Sequence, residues 1–465
     1  MSTRLELVKH CRSNNRSLPP SDRRQEYIFD DQMKKYLLFA EKAFTVLSLL
    51  HYSGAPLVVI LSGGASEGDD SIAAPDFALI QFIFLIIYFI TFALLVVRWK
   101  KVIQLINKDW YIWLLLLVAI FSIFWSDVPA MTQSRVIALS GTLLFPLYLA
   151  SRYTLKEQLQ LLAWTFGIAI VGSFLFAFGL RNYGRMAGVH FGTWRGIYNH
   201  KNVLGKVMAP SAMVFLLLAL QPEKKRWLFW GGFIASLWLI IASKASSPFI
   251  NVITLSLSLF LFRILRWRYN FMIPALVGIT TLSTIAYILM TTNAEAIAAL
   301  LGKDLTLTGR TNFWPLIIDK IAERPWFGYG YGAFWLGWTG PSADIWYSSG
   351  WKPPNSHNGY LDLCLELGLV GLSLYVIDYL QGLLRALAYV RSVKTSDGFW
   401  PAVFLVYVVL SNLTESTLLI QNNFFFVIQV SILLSLRICE EQKTTPSKIK
   451  HKKKINYSQK KHKML

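Results

Sequence analysis

Residues 77–97 read FALIQFIFLIIYFITFALLVV, a run of 21 residues without a charged side chain. About 20 apolar residues in a helix suffice to cross the roughly 30 Å hydrocarbon core of a bilayer. An uncharged run of this length therefore predicts a transmembrane helix. The pattern recurs along the chain, and the sequence consequently predicts an integral membrane protein.

Further apolar runs bring the predicted total to about twelve transmembrane helices. They lie near 37–61, 110–126, 134–151, 158–180, 203–220, 227–243, 248–264, 270–290, 359–384, 400–413 and 418–437. The runs at 110–126 and 400–413 are short, so either helix is expected to tilt or to end in a loop. The predicted fold class is all-α: a polytopic membrane domain, 37–437, between an N-terminal segment, 1–36, and a basic tail, 438–465.

The composition supports this fold class. The 465 residues are 54% hydrophobic and 15% charged, whereas soluble proteins usually carry about a quarter charged residues. The net charge of +20 would suggest nucleic acid in a soluble chain, but cytoplasmic loops of membrane proteins also collect Lys and Arg. The three cysteines are scattered without metal-binding spacing, so no disulfide framework or zinc site is expected. A soluble enzyme and a nucleic-acid partner are both disfavoured.

The content of basic residues alternates from one predicted loop to the next. The N-terminal segment, the tail and every second loop are rich in Lys and Arg, whereas the intervening loops are acidic or mixed. Because positive loops stay in the cytoplasm, this alternation predicts an even number of spans with both termini cytoplasmic. No signal peptide is expected, since the first apolar run starts near Tyr36 after a long polar segment. The tail is most simply a solvated segment attracted to lipid headgroups.

Two predicted outer loops are basic and aromatic against this rule. The first, about 181–202, ends in a cluster of polar and basic residues: Arg195, His200, Lys201 and Asn202. Arginine, histidine and lysine so close together form a candidate anion site. The alternative is that the basic side chains reach lipid headgroups from the interface.

The second exception is the long loop 291–358, which is expected to carry short amphipathic helices and function. In it, Arg310 precedes four apolar residues at helical spacing: Trp314, Ile317, Ile318 and Ile321. Arg310 thus falls at a predicted helix N-terminus, where backbone N–H groups and the helix dipole favour a phosphate. The alternative is that Arg310 only caps the helix at the protein surface.

The same loop contains RPWFGYGYGAFW at 324–335. Its GxGxG run invites a dinucleotide interpretation, but no strand precedes it and no βαβ unit is expected, so that interpretation is rejected. Tyr331 and Trp335, with Tyr329 and Trp338, could offer flat faces to sugar rings. An aromatic belt at the membrane interface is the alternative.

The stretch NSHNGYLDLCLELG, 355–368, opens the tenth predicted span. Ser356 or Asn358 is expected to cap this helix, and His357 at its mouth is suited to accepting a proton near neutral pH. Asp362 and Glu366 are spaced i, i+4 on one face of the first turns. Carboxylates at membrane depth are costly and therefore functional candidates, although stabilisation by the helix dipole is the alternative.

Taken together and in order, RGIYNHKNVLG, LTGRTNFW, RPWFGYGYGAFW and SHNGYLDLCLELGLVGL resemble the O-antigen ligase / O-antigen polymerase family of bacterial membrane glycosyltransferases, including its exopolysaccharide polymerase branch. This resemblance covers about 195–375. The weaker matches FWSDVPAMTQSR, SKASS and NLTES extend it to about 120–425.

The resemblance implies a metal-independent enzyme of the bacterial inner membrane with no cofactor. It would transfer a glycan from undecaprenyl diphosphate to a hydroxyl of a glycan or lipid-core acceptor, with inversion, on the periplasmic side. Membrane lipids and polysaccharide assembly proteins are the other expected partners.

The resemblance also implies roles for individual residues. Arg195, Arg310 and His357 are expected to be catalytic: the arginines would stabilise the departing diphosphate, and His357 would accept or orient the acceptor proton. The residues expected to bind substrate are His200, Lys201, Asn202, Tyr331, Trp335, Asn358, Asp362 and Glu366. Asp362 or Glu366 is also expected to orient His357 or a neighbouring arginine.

Two other classes of function stay open. A multi-span solute transporter, for example of bicarbonate, would more often place broken helices and charges near the midplane, whereas these charges cluster at the predicted outer helix ends. A non-catalytic polysaccharide export component would not need Arg195, Arg310 and His357. Ligases and polymerases share the motifs, and the tryptophan–serine segment with the long aromatic loop favours a polymerase.

Overall fold

The computed structural model describes residues 20–65, 77–222, 224–292, 310–349 and 352–439. Within these ranges the protein is helical, and an isolated bridge between Arg185 and Trp194 is the β pairing found there. The all-α prediction is confirmed. Residues 1–19 of the predicted N-terminal segment, 293–309 of the long loop and 440–465 of the basic tail lie outside the described residues.

The described α-helices of seven or more residues are numbered here in chain order. The first eight are α1 (Pro20–Tyr52), α2 (Ala78–Val97), α3 (Trp99–Ile106), α4 (Trp110–Phe121), α5 (Pro129–Arg152), α6 (Leu155–Gly179), α7 (Lys201–Ala219) and α8 (Arg226–Ser243). They are followed by α9 (Ser246–Ile264), α10 (Tyr269–Thr292), α11 (Arg310–Glu323), α12 (Ala343–Ser349), α13 (Gly359–Ser392), α14 (Trp400–Asn412) and α15 (Phe424–Cys439). Two compact units are distinguished, Met1–Leu49 and Leu50–Leu465.

Among the described helices, seven are long and apolar enough to cross a membrane: α2, α5, α6, α7, α8, α9 and α13. Helices α3 and α4 pass the same test together, although an 82° bend separates them. The runs predicted as short, 110–126 and 400–413, correspond to the short helices α4 and α14. The protein is therefore a polytopic membrane protein, as the sequence predicts.

Helix α7 is the most enclosed of these spans. In its apolar window 78% of the residues are buried, against 22% in α2 and α8, and it packs against α6, α8, α9 and α14. The exposed residues of α2 are large and apolar, such as Phe82, Leu85 and Phe89. A surface of this kind suits contact with lipid rather than water.

Local sequence signals fix where helices start. Before α6, Thr154 accepts a hydrogen bond from the Glu157 N–H at 3.3 Å, and the Glu157 carboxylate accepts one from the Thr154 N–H at 2.8 Å. This reciprocal capping pairs two N–H groups that a helix start otherwise leaves unpaired. At α13 the cap is Asn358, whose side-chain oxygen accepts from the N–H groups of Tyr360 and Leu361.

Helix α13 is broken at Gly368, a feature that the sequence did not predict. Gly368 has φ 63° and ψ −166°, and the segment 324–330 enters the break. Four backbone hydrogen bonds of 2.8–3.2 Å close it: Tyr329 N–H to Leu365, Gly330 N–H to Glu366, Leu369 N–H to Pro325 and Val370 N–H to Trp326. The loop thereby pairs groups that would be costly to leave unpaired inside a membrane.

The glycine run of this loop follows from these close contacts. Gly328, Gly330 and Gly332 all have positive φ, the backbone region in which only glycine is unstrained. A Cβ at Gly328 would lie 2.5 Å from the Leu365 carbonyl oxygen, and one at Gly330 would lie 2.7 Å from Ser126. The GxGxG pattern is therefore explained by packing.

Candidate active site

His357 lies in the turn that leads into α13. It has φ 52°, a left-handed conformation that is uncommon outside glycine but tolerated by histidine and asparagine. Its N–H donates to the side-chain oxygen of Asn355 at 2.9 Å, and the side chain is half-buried. The predicted placement of His357 at a helix mouth is confirmed, and Asn358 is the residue that caps the helix.

Ser356, the residue before His357, is fully buried and fixed from two helices. Its N–H donates to Asp362 Oδ1 at 3.1 Å, and its hydroxyl donates to the Asn358 carbonyl at 2.6 Å. The indole N–H of Trp314 on α11 donates to the Ser356 carbonyl at 3.0 Å. These bonds hold the backbone beside His357 in one conformation.

Asp362 joins three segments of the chain. Its carboxylate accepts hydrogen bonds from the Trp335 indole N–H at 2.8 Å, from the Ser356 N–H and from the Ser416 hydroxyl. All three donors are neutral, so the carboxylate is satisfied by hydrogen bonds rather than by a salt bridge. This geometry favours the expected orienting role, exercised on the backbone next to His357, over direct contact with substrate.

The segment 413–417 after α14 links this site to α7. The Glu415 carbonyl accepts from the Gly359 N–H at 3.1 Å, and the Glu415 carboxylate pairs with Lys206 of α7 at 3.3 Å. Asn412 fixes the segment by accepting from the Thr417 N–H at 2.8 Å. In the sequence this segment is visible only as the weak NLTES match, because nothing local indicates that it returns to the start of α13.

Arg310 is the first described residue of α11, and residues 293–309 before it lie outside the described residues. Its position at a helix N-terminus therefore stays a prediction. Its side chain lies outside the described residues. Trp314 follows one turn later on the same face of α11 and contacts the Ser356 carbonyl. Of the predicted apolar face, Ile317 is fully buried, whereas Ile318 is exposed.

Arg195 is fully buried, and its guanidinium donates to backbone carbonyls from three stretches of the chain. The acceptors are Gly64, Ala65, Asn182, Tyr183 and Asn199. Burial lowers the pKa of Arg195, although an arginine stays charged at neutral pH. A phosphate could reach this guanidinium only by displacing these carbonyls. In this conformation Arg195 therefore provides no direct contact with a diphosphate.

The rest of the first basic cluster forms the start of α7. His200 caps the helix, because its Nδ1 accepts from the Asn202 N–H at 3.1 Å, and Lys201 is the first helical residue. All three side chains are half-buried. The cluster thus lies at a helix N-terminus, which favours an anion.

The sequence model of the O-antigen ligase family matches residues 231–376. This part of the chain is similar to the O-antigen ligase family. The match includes Arg310, Trp335, His357, Asn358 and Asp362, and it begins beyond Arg195 and the start of α7.

A longer similarity extends across more of the chain. Over 293 residues the chain is 26% identical to the exopolysaccharide production protein ExoQ of Rhizobium meliloti (strain 1021). The aligned part is 60% of this chain and 66% of that protein, just under two thirds of its length.

Within the matched region, the segment 324–335, here called the aromatic loop, is mostly buried. Tyr331 is 1% exposed, and its hydroxyl donates to the Leu419 carbonyl at 2.6 Å and contacts the Gln421 side chain at 2.8 Å. It offers no ring face to a sugar in this conformation, because the side chain is buried. Trp335 is half-buried with its N–H held by Asp362.

Glu366 and Arg135 hold Gly332 from opposite sides. Arg135 of α5 donates to the Gly332 carbonyl, while the Glu366 carboxylate interacts with the Gly332 N–H and with the charge of Arg135. Glu366 is therefore engaged by the aromatic loop, and an orienting role towards an arginine is the expected role that this geometry fits.

A charged network supports the start of the aromatic loop. Lys320 pairs with Asp344 at 2.8 Å and with Glu323 at 2.9 Å, and the Tyr329 hydroxyl donates to Glu323 at 2.7 Å. The hydrogen bond from Tyr329, followed by Lys320, lowers the pKa of Glu323. Burial and then Glu323 raise the pKa of Tyr329, and the hydrogen bond to Asp344 raises the pKa of Lys320.

No group of three His, Cys, Asp or Glu side chains suited to a metal ion is found among the described residues.

Proposed function

We propose that this protein is a membrane glycosyltransferase that transfers a glycan from undecaprenyl diphosphate to a hydroxyl acceptor at the periplasmic face, in polysaccharide or O-antigen polymerisation or ligation. The observation that supports this most is the arrangement at the start of α13. There His357 is held in a left-handed turn by bonds from α11 and α13 to its neighbour Ser356, within the O-antigen ligase region.

The proposed reaction is a single displacement at the anomeric carbon of the donor sugar. The acceptor oxygen forms the new glycosidic bond, and the bond from the anomeric carbon to the phosphate oxygen breaks. His357 takes the proton of the acceptor hydroxyl as general base, and undecaprenyl diphosphate leaves with the negative charge. One in-line displacement inverts the anomeric configuration.

The departing diphosphate needs positive partners. Arg310 is the proposed main contact, because it lies on α11 one turn before Trp314, whose indole bonds Ser356. Lys201, His200 and Asn202 at the start of α7 supply a second anion-binding helix end. Arg195 is proposed as a positioning residue, which fixes the loop leading to His200 through the carbonyls that it binds.

Asp362 and Asn358 are also proposed to act through His357. Asn358 ends the turn as helix cap, and Asp362 holds Ser356 and Trp335 together. The reaction is proposed to need no metal, since cationic side chains would stabilise the leaving group. Both termini are proposed to be cytoplasmic, and polysaccharide assembly proteins are proposed partners.

The test is reconstitution of the full-length protein in liposomes with an undecaprenyl-diphosphate oligosaccharide. We expect release of undecaprenyl diphosphate, an inverted new linkage and activity that survives a chelator. A ladder of repeats without added acceptor would identify a polymerase, which the similarity to an exopolysaccharide production protein favours. A single transfer to lipid core would identify a ligase. Absence of any release by folded protein with either acceptor would overturn the proposal.

A further inference from the structure

The loop between α11 and α13 presents an aromatic surface that the proposed chemistry does not use. We call it the aromatic platform, and it consists of Trp338, Trp346 and Tyr347. The centroid of the Trp338 ring lies 5.2 Å from that of Trp346, edge-on, and 4.7 Å from that of Tyr347. Trp338 is 43% exposed and Tyr347 is 72% exposed, so both can meet a ligand.

The aromatic platform is held in place from beneath. The Trp346 indole N–H donates to the Pro353 carbonyl at 3.0 Å, and the backbone of Gly337 (φ 76°) passes close to the Trp346 ring. Ile345, next to Trp346 on α12, is 1% exposed and belongs to the apolar core under the loop. Rings fixed before a ligand arrives lose little conformational entropy on binding.

The charges around the aromatic platform nearly cancel. Lys320 pairs with Asp344 and Glu323, and the Lys352 ammonium lies 5.7 Å from the centre of the Trp338 ring. The Asp344 side chain is 74% exposed, which disfavours docking onto an anionic lipid surface. A neutral ligand with apolar C–H faces and hydroxyl groups fits this surface best.

A pyranose chain has these properties. Its axial C–H groups are weakly positive and suit the negative face of an aromatic ring, while its hydroxyls can bond Lys352 or Asp344. Tyrosine and tryptophan provide such contacts with few rotatable bonds to immobilise. This chemistry distinguishes the exposed rings from the buried Tyr329 and Tyr331.

The aromatic platform is joined to both sides of the proposed acceptor site. Trp335, three residues before Trp338, donates to Asp362, and Asp362 accepts from the residue before His357. On the other side, Trp346 is bonded to Pro353, in the segment that leads directly to His357. Both connections tie the aromatic platform to the segments that precede and follow His357.

We propose that the aromatic platform binds the acceptor glycan and retains it between transfers, an inference that rests on the proposed function. Its test uses the full-length protein in liposomes, with an undecaprenyl-diphosphate oligosaccharide as donor. The acceptor is an oligosaccharide of a few repeat units cleaved from the polymer that the reconstituted protein makes, or lipid core if the reaction is ligation. Initial rates are measured against acceptor concentration, and product length is measured by gel electrophoresis.

For Trp338→Ala with Tyr347→Ala we expect the acceptor KM to rise about 10-fold, equivalent to the loss of about 1.4 kcal/mol of binding. The kcat should stay within about 2-fold, since no reacting group is removed, and the products should become shorter. Trp338→Phe with Tyr347→Phe keeps the ring faces and should restore the KM.

Trp326→Ala is the matched control. Trp326 is 65% exposed and lies on the same loop, but it lines a separate cavity of about 460 Å³ with Trp125 and Phe327. The acceptor KM of the Trp326→Ala variant should equal that of the parent protein. An unchanged KM and product length in the double alanine variant would overturn the proposal, and so would an equal defect in Trp326→Ala, which would indicate an aromatic belt that contacts lipid.

The outcome is independent of the catalytic proposal. If His357→Asn is fully active while the aromatic platform variants raise the acceptor KM, the general-base assignment fails and the glycan site stands. If His357→Asn is inactive and the platform variants behave like the parent protein, the glycan site fails and the catalytic proposal stands.

Discussion

Helix α13 carries two buried aspartates, and they are held in opposite ways. Asp362, in the first turn, accepts hydrogen bonds from an indole, a backbone N–H and a hydroxyl. Asp378 lies 16 residues later, beyond the break at Gly368, and pairs with Arg437 at 2.8 Å. Arg437 also pairs with Asp109 at 2.7 Å, and all three of these residues are buried.

The two aspartates therefore have different roles. Asp362 positions the groups around His357, and Asp378 anchors the helix to its neighbours. At Asp378 the guanidinium offsets the carboxylate charges, and the ion network joins α13 to the bend before α4 and to α15. At Asp362 the donors are neutral, and the contacts of the carboxylate are spread over the segments that surround His357. Carboxylates held only by neutral groups are costly to bury, and they are kept where a site needs them.

The largest effect is expected at the anchoring network. Arg437→Leu would leave Asp109 and Asp378 buried without their counter-ion, which costs about 3–5 kcal/mol in comparable cases. We expect a lower thermal midpoint in detergent and less protein in membranes, with normal activity per folded molecule. Adding Asp109→Asn and Asp378→Asn should recover part of the stability. An Arg437→Leu protein as stable as the parent would contradict this role.

Next in size is the effect of Asp362→Asn on turnover. An asparagine places an NH₂ group towards donors that need an acceptor, so the Ser356 and Trp335 contacts are weakened and His357 shifts. A displacement of this kind can cost up to about 100-fold in rate. We expect kcat to fall about 10- to 100-fold, with acceptor KM little changed. Asp378→Asn is the control and should lower stability without this loss of kcat.

A smaller effect is expected from the helix cap. Asn358→Ala removes the acceptor for the Tyr360 and Leu361 N–H groups, and loss of such a cap costs about 1 kcal/mol. Amide hydrogen exchange should accelerate in the first turn of α13 and stay unchanged around Asp378. Asn358→Asp retains the acceptor oxygens and should preserve protection from exchange. If Asn358→Asp lost as much protection as Asn358→Ala, the result would argue against capping.

The smallest effect is the pH dependence of the loop that carries the aromatic platform. Glu323 has a lowered pKa, so its contribution to stability is present above its ordinary range and is lost as pH falls through the folded value. Lys320 has a raised pKa, so its contribution is present below its ordinary range and is lost as pH rises through the folded value. The protection of residues 310–349 from amide hydrogen exchange, corrected for intrinsic rates, should therefore be highest near neutral pH. Lys320→Met should remove the alkaline decline, and its persistence would contradict this assignment.

Much of the fold could be predicted from the sequence because hydrophobic length and charge are local signals. The uncharged run at 77–97 is α2, and the capping residue of α13 follows from its position before an apolar run. The break at Gly368 was missed, because its cause is the insertion of residues about 40 positions earlier in the chain. Periodicity within 359–384 contains no trace of that contact.

For the candidate site, the sequence indicates the candidate residues more clearly than their arrangement in space. The position of His357 just before α13 follows from local pattern. The carbonyl cage around Arg195, the burial of Tyr331 and the return of Glu415 and Ser416 to α13 depend on pairings between distant segments. Residue type alone cannot distinguish a guanidinium that binds phosphate from one that binds backbone.

The central claim is that His357 accepts the proton of the acceptor hydroxyl. The most direct test compares His357→Asn with the parent protein in the liposome assay, by the initial rate at which undecaprenyl diphosphate is released. Asparagine tolerates the left-handed backbone of this position but cannot take up the proton. His51→Gln, at another half-buried histidine, is the control.

We predict a fall of about 10²- to 10⁴-fold for His357→Asn, the usual contribution of a general base, and a rate within about 2-fold of the parent for His51→Gln. A His357→Asn protein that folds and releases undecaprenyl diphosphate at the parent rate would contradict the claim.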